Sequence, residues 1–250
     1  MTEVGVTLIV LIVLLLVLLI LILFLFFKIK KIQKDNILLR QQLLLSQLNP
    51  HFVFNSLSAI QSFMFRSEAH LGSKYLASFA KLTRLILENS RTQLCSIEQE
   101  INTITHYLEL QQLRFDNKFS YKIVVDDILD KSMILIPPML TQPFIENSIE
   151  HGFIHMSEEG LLTVSFKASG PKHILIEIED NGIGIELGKT QLMTNGEKYK
   201  SLATKITRER IEGIRKSMGL KVELNIIDLS KENPQKHGTL VTMRIPINHG

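Results

Sequence analysis

Apolar residues are distributed along this chain in three regimes. From Val6 to Phe27 they run for 22 positions with only Thr7 polar. As a helix rising 1.5 Å per residue, that run measures about 33 Å, enough for a bilayer core. Lys28, Lys30, Lys31 and Lys34 follow it. Basic residues on that flank place the C-terminal side in the cytoplasm. A cleaved signal peptide would want basic residues before the run, a shorter core and a small-residue cleavage site. Here Glu3 precedes the run and Phe26-Phe27 closes it. The pattern predicts a single-pass transmembrane anchor over residues 1–28, with only a handful of residues outside and no ectodomain.

The second regime has helical periodicity. Residues 29–48 are polar at first, then rich in Leu and Gln, without Gly or Pro. Leu38, Leu45 and Phe52 recur at seven, as do Ile32 and Leu39, a partial heptad that suggests parallel pairing. A solvated juxtamembrane helix is the alternative. Pro50 then interrupts the pattern, and a proline inside a helix removes a hydrogen bond and kinks the axis. Periodicity resumes over Phe52–Phe65, Arg66–Gly72 has turn character, and Tyr75–Asn89 carries a stripe at Leu76, Phe79, Leu82, Leu85 and Ile86. Residues 49–95 therefore read as a helical hairpin, whose two stripes are buried when two copies form a four-helix bundle.

The third regime, residues 96–250, mixes helices with short strands. Ser96-Ile97-Glu98-Gln99 fits a capping box opening a helix through Tyr107, Leu110 and Leu113. Phe119–Val125 alternates like a strand. Pro137-Pro138 is predicted to begin the helix that carries Phe144-Ile145-Glu146-Asn147-Ser148-Ile149-Glu150-His151-Gly152. Strands are expected at Leu161–Lys167, Ile174–Glu179, Lys221–Asp228 and Thr239–Ile245. A polar loop is expected over Leu187–Lys200 and a helix over Ser201–Met218.

Composition adds two limits. The net charge is +3, and much of the excess is the lysine cluster beside the apolar run. That is a membrane-edge signal, with no footprint for direct nucleic-acid binding. The one cysteine, Cys95, allows no intrachain disulfide and suits a reducing compartment; no zinc-ligand spacing is present.

Candidate chemistry gathers at three places. In Gln47-Leu48-Asn49-Pro50-His51-Phe52-Val53-Phe54-Asn55 a histidine follows a proline, and Asn55 lies one helical turn on. In the second, Asn147 and His151 stand at i and i+4. An asparagine oxygen suits Mg²⁺, and the neighbouring Glu146 could take a proton from a nucleophile. In the third, Asp180-Asn181-Gly182-Ile183-Gly184 ends a strand. It is either an ordinary turn or a carboxylate set to accept from an exocyclic amine, with glycines letting the backbone approach a ligand.

These boxes, in this order, resemble the LytS-type sensor histidine kinases of bacteria, over roughly Leu43 to Ile247. The resemblance implies a dimerising hairpin followed by an α+β Bergerat-type two-layer α/β sandwich, the ATP-binding fold shared with gyrase, mismatch-repair and heat-shock chaperone ATPases. It implies that His51 is the phosphoacceptor, that Asn147 binds Mg²⁺, and that Glu146 and His151 flank it. Asp180 would read adenine, Gly182 and Gly184 would shape the pocket wall, and Thr239 in His237-Gly238-Thr239 would lie near the base. Leu187–Lys200 would be the ATP lid. Three positions depart from the pattern. Glu150 stands where the family often has lysine. Ser201-Leu202-Ala203-Thr204-Lys205 lacks the glycines of the second ATP box, leaving Ser201, Thr204, Lys205 and a helix N-terminus to hold phosphate. Phe52, not an acid, follows His51.

The function expected is a membrane-bound sensor histidine kinase in the bacterial cytoplasmic membrane, acting as a homodimer. It would autophosphorylate on His51 from Mg-ATP and pass the phosphoryl group to a response-regulator aspartate, the regulator being of LytTR type by the resemblance. Input would come from a separate membrane sensor protein or from the bilayer. The alternatives are an ATPase of the same fold that phosphorylates no histidine, and a degenerate ATP-binding membrane scaffold.

Overall fold

A computed structural model describes residues 16, 18–19, 21–26, 28–30, 50–90, 92–154, 156–185, 207, 211–233 and 236–249. The chain divides into two compact units, residues 1–51 and 52–250. In the first unit, the described residues between Leu16 and Lys30 are helical, and their apolar side chains leave about half their surface open, Phe24 62% and Ile29 55%. Lys30 Nζ lies 4.8 Å from the centre of the Phe26 ring. Among the described residues no helix is long and apolar enough to cross a membrane. Most of Val6–Phe27 lies outside the described residues, as do the heptad positions before Phe52 and the chain on which a kink at Pro50 depends.

Two helices follow: α1 (Pro50–Phe65), which from Phe52 onward belongs to the second unit, and α2 (Ala69–Ser90). The turn between them is shorter than the sequence suggests. Ser67 takes a positive φ of 59°, Arg66 and Glu68 donate backbone hydrogen bonds to the end of α1, and α2 already includes Gly72. Gly72 packs on Phe63, where an added Cβ would stand 3.4 Å from the Phe63 Cβ. The buried stripe of α2 is Tyr75, Leu82, Ile86 and Asn89, at helical spacing; Leu76, expected in it, is 50% exposed. Phe54, Met64 and Phe65 project from the hairpin, each more than two-thirds exposed.

Strand β1 (Cys95–Ser96) leads into α3 (Ile97–Arg114). The capping box forms as expected: Gln99 N donates to Ser96 Oγ at 3.2 Å and Ser96 N donates to Gln99 Oε1 at 2.9 Å. Strands β2 (Phe119–Val125) and β3 (Ile134–Ile136) follow. The helix expected at Pro137-Pro138 begins later, as α4 (Gln142–Asn147), with Pro143 in its first turn. Glu100 of α3 explains the delay. Its buried carboxylate accepts from Met139 N (2.8 Å) and Thr141 Oγ1 (2.8 Å), which holds Pro137–Thr141 in a turn with Met139 at φ 58°. A second correction follows directly. Beyond Asn147 the chain winds as a π-helical segment, Ser148–Phe153, bonded i to i+5. The α-helix expected through Gly152 therefore ends at Asn147, and His151 lies in the wider π winding.

The remaining elements are β4 (Gly160–Ala168), β5 (His173–Asp180), a helical stretch at residues 211–218, β6 (Glu223–Asp228), α5 (Leu229–Glu232), β7 (Thr239–Pro246) and β8 (Asn248–His249). The main sheet has the order β2-β4-β5-β7-β6, parallel between β2 and β4 and antiparallel elsewhere; β1, β3 and β8 form a small second sheet. Register builds the core. Phe166, Ile176 and Met243 align across three strands, as do Val164, Ile178 and Val241, all at most 5% exposed. Alternation sends these residues to one face of the sheet, and each fully buried branched or aromatic side chain contributes about 1.5–3 kcal/mol. Buried helical residues such as Leu108 of α3, Phe144 and Ile145 of α4, and Ile149 belong to the same core. The other face carries polar pairs, including Lys167–Glu177 and Arg244–Glu223.

Candidate functional site

Asp180 is on the apolar face of β5, in step with Ile174, Ile176 and Ile178, and is 6% exposed. The row of core side chains thus ends in a carboxylate. Burying it demands donors, and three surround it. Oδ1 accepts from Gly182 N (2.9 Å) and Thr239 N (3.1 Å), while Oδ2 lies 2.6 Å from the Ser148 hydroxyl, which donates to it. The donors come from the turn after β5, from the start of β7 and from the π segment. Three separate elements therefore fix one carboxylate.

Glycines make this approach possible. A Cβ on Gly182 would stand 2.8 Å from Gly152 Cα and 2.9 Å from Asp180 Oδ1. Gly238, at φ +114°, leaves no room at all, since its Cβ would fall 1.8 Å from the Asp180 carbonyl oxygen. Ile183 N also donates to Gly152 O at 3.3 Å. The Asp-Asn-Gly turn is therefore pressed against the π segment. Asn181 serves the turn itself, accepting from Leu161 N and donating to Glu159 O.

Asn147 closes α4 and is half-buried, like Glu146 and His151. Glu146 Oε1 accepts from Gln142 Nε2 at 3.0 Å. Glu150 Oε1 accepts from Arg114 Nη1 at 3.1 Å and Asn55 Nδ2 at 3.2 Å. Burial raises the Tyr107 phenol well above its ordinary range, and the nearby charges of Glu146 and Glu150 push it further up. Gly184, at φ +76°, faces Asp228, whose carboxylate accepts from Ile185 N at 2.8 Å and from Ser230 Oγ at 2.6 Å.

The structure thus brings together Asp180, Gly182, Thr239 and the π segment after Asn147. It adds two residues without an expected role, Ser148 and Asp228. Ser148 stood inside a box already singled out; Asp228 pairs with Thr239, which pairs with Asp180, a row across three strands that sequence spacing does not reveal. His51 is helical in its backbone, and its side chain is outside the described residues. Ser201, Thr204, Lys205 and the loop Leu187–Lys200, expected as a lid, also lie outside them.

The donor chemistry fits the nucleotide implied by the sequence. A fixed, buried carboxylate beside glycine backbone matches an amine-bearing base. Asn147 offers the hard oxygen that Mg²⁺ takes alongside phosphates and waters. Among the described residues no group of three or more His, Cys, Asp or Glu could hold a metal.

Comparison with known proteins identifies two family segments. Residues 39–119 match the family model described as histidine kinase, and residues 139–249 match the model for histidine kinase-, DNA gyrase B-, and HSP90-like ATPases. Sensor protein LytS of Bacillus cereus is 32% identical over 208 residues, covering 80% of this chain and 33% of that protein. Sensor histidine kinase/phosphatase LytS of Staphylococcus aureus is 31% identical over 148 residues, 59% of this chain and 25% of that protein. Among solved structures, the histidine kinase domain of the Erythrobacter litoralis EL346 blue-light activated histidine kinase has a TM-score of 0.44 at 13% identity, over 68% of this chain and 75% of that one. The chain spans about a third or less of the length of these LytS relatives. A segment matching the histidine kinase model is thus followed by a segment matching the histidine kinase-, DNA gyrase B-, and HSP90-like ATPase model, and the chain is similar to LytS sensor proteins over most of its length.

Proposed function

We propose that this chain autophosphorylates on His51 from Mg-ATP and passes the phosphoryl group to an aspartate of a response regulator. The observation that carries the reading is the Asp180 carboxylate held by Ser148, Gly182 and Thr239 at the end of β5. An ATP-binding domain of this family gives that carboxylate a partner in the adenine amine. Asn147 would hold Mg²⁺, which when bound would offset the negative charge that builds up on the phosphates. A neutral imidazole nitrogen attacks the γ-phosphorus. The bond from that phosphorus to the β–γ bridging oxygen breaks, and ADP leaves. The ring proton passes to Glu146 or to water. The neutral ring, with its nitrogen lone pair free, is the nucleophilic form of histidine.

Three further elements belong to the proposal. The apolar run Val6–Phe27 anchors the chain in the cytoplasmic membrane. Two copies pair through the α1–α2 hairpin, which accounts for exposed Phe54, Met64 and Phe65. The regulator is of LytTR type, and a separate membrane protein or the bilayer supplies the stimulus.

The test is incorporation of γ-labelled phosphate by the full chain in detergent micelles with Mg²⁺, wild type beside His51→Gln. Acid-labile label on wild type alone is expected. ATP hydrolysis without protein label would replace this reading with the ATPase, and neither label nor hydrolysis would leave a scaffold.

A further inference from the structure

Glu150 is half-buried in the π segment, its side chain 13% exposed. A carboxylate this enclosed needs partners. Its Oε1 takes two from distant parts of the chain: Arg114 Nη1, at the end of α3, and Asn55 Nδ2, on α1. Arg114 continues the connection, donating to Gln111 Oε1 at 3.3 Å, and Gln111 Nε2 donates to the Tyr107 hydroxyl at 2.9 Å. The Tyr107 ring in turn meets the Phe52 ring at 5.6 Å between centres, and Phe52 is 3% exposed. Helix α1 therefore meets α3 through the Phe52 ring and the π segment through the Asn55 amide, and of these two contacts the amide's is the directional one.

The charge at position 150 decides that contact. An acid accepts from both Arg114 and Asn55. A lysine there would repel Arg114 and could reach Asn55 only after its amide had turned over. The acid is thus matched to its surroundings, and its charge is spent on Arg114 rather than presented to a triphosphate.

We propose that Glu150 is a positioning residue. With Arg114 it grips Asn55 and sets the orientation of α1 against the π segment for phosphoryl transfer. The kinase consequence rests on the function proposed above; the grip itself does not.

Three measurements on the full chain in detergent micelles test this: affinity for a fluorescent ATP analogue, initial rate of label incorporation from γ-labelled ATP, and hydrogen exchange over Phe52–Phe65. Glu150→Ala is expected to hold nucleotide affinity within about twofold. It should slow labelling about tenfold or more, as loss of positioning does, and speed exchange in α1. Glu150→Gln keeps an acceptor for Asn55 and should recover part of the rate, whereas Glu150→Lys should not. Unchanged labelling and unchanged α1 exchange in Glu150→Ala would overturn the proposal. So would nucleotide affinity falling in step with labelling, which would put Glu150 in the ATP site. If wild type takes no label, the kinase reading fails, and α1 exchange still decides whether Glu150 holds the helix.

Discussion

The Ser148 hydroxyl donates to Asp180 Oδ2 across 2.6 Å, joining the π segment to the end of β5. Asp180→Asn replaces one acceptor oxygen by an amide NH2 and turns a donor toward donors. The expected result is an ATP Kd raised by about 5- to 150-fold, from a cost of about 1–3 kcal/mol for a buried group left unpaired. Ser148→Ala leaves Gly182 N and Thr239 N in place and should cost about 1 kcal/mol, roughly fivefold in Kd. Equilibrium titration with a fluorescent nucleotide measures both. Equal losses would mean that Ser148 touches the ligand itself.

Among the described glycines, Gly238→Ala should be the most damaging. Its Cβ would fall 1.8 Å from a backbone oxygen that cannot swing aside, at a φ of +114° that side chains avoid. Thr239 N would be pushed from Asp180, so stability and ATP binding should fall together. A stability loss of about 3 kcal/mol or more is expected, read from the denaturant midpoint. Gly170→Ala is the control, because nothing lies within 4 Å of its Cβ, although its own positive φ carries a small cost.

Glu100→Leu should destabilise the domain by about 3 kcal/mol, since it leaves Met139 N and Thr141 Oγ1 buried without their acceptor. Glu100→Gln should lose less, because its carbonyl oxygen still accepts from one of them. Chemical unfolding followed by circular dichroism gives the ranking. The reverse order would mean that Glu100 is tolerated rather than needed.

Burial, and then the charges of Glu146 and Glu150, keep the Tyr107 phenol protonated in the folded state well above its ordinary value of 10.0. The unfolded chain releases that proton first, near pH 10. Stability from protonated Tyr107 is therefore complete below about pH 10 and is lost as pH rises beyond it. Absorbance at alkaline pH should show Tyr107 ionising only together with unfolding. A Tyr107→Phe chain should lose less stability between pH 9 and 11.

Local rules account for what could be read directly. The Ser96–Gln99 capping box, the helix through Leu110, and strands β2, β4, β5 and β7 follow from side-chain chemistry a few residues apart, and each formed within one or two residues of its expected bounds. Asp180, Gly182 and Thr239 were also legible, since boxes in fixed order carry the resemblance that places them together. The start of α4 was not. Pro137-Pro138 satisfies the local rule for a first helical turn, but Glu100, 39 residues before Met139, holds that stretch in another shape. Nor was the π segment Ser148–Phe153, which nothing in the residue spacing of that box announces.

Glu150 shows the same division at the level of function. The sequence determined that an acid stands there, and by resemblance made it a departure. Only the tertiary structure decided what the acid does, because its partners Arg114 and Asn55 lie 36 and 95 positions away. Helix caps and strand alternation depend on neighbours a few bonds distant, which sequence displays. The partners of a buried charge are chosen by packing, which brings together residues that sequence keeps apart.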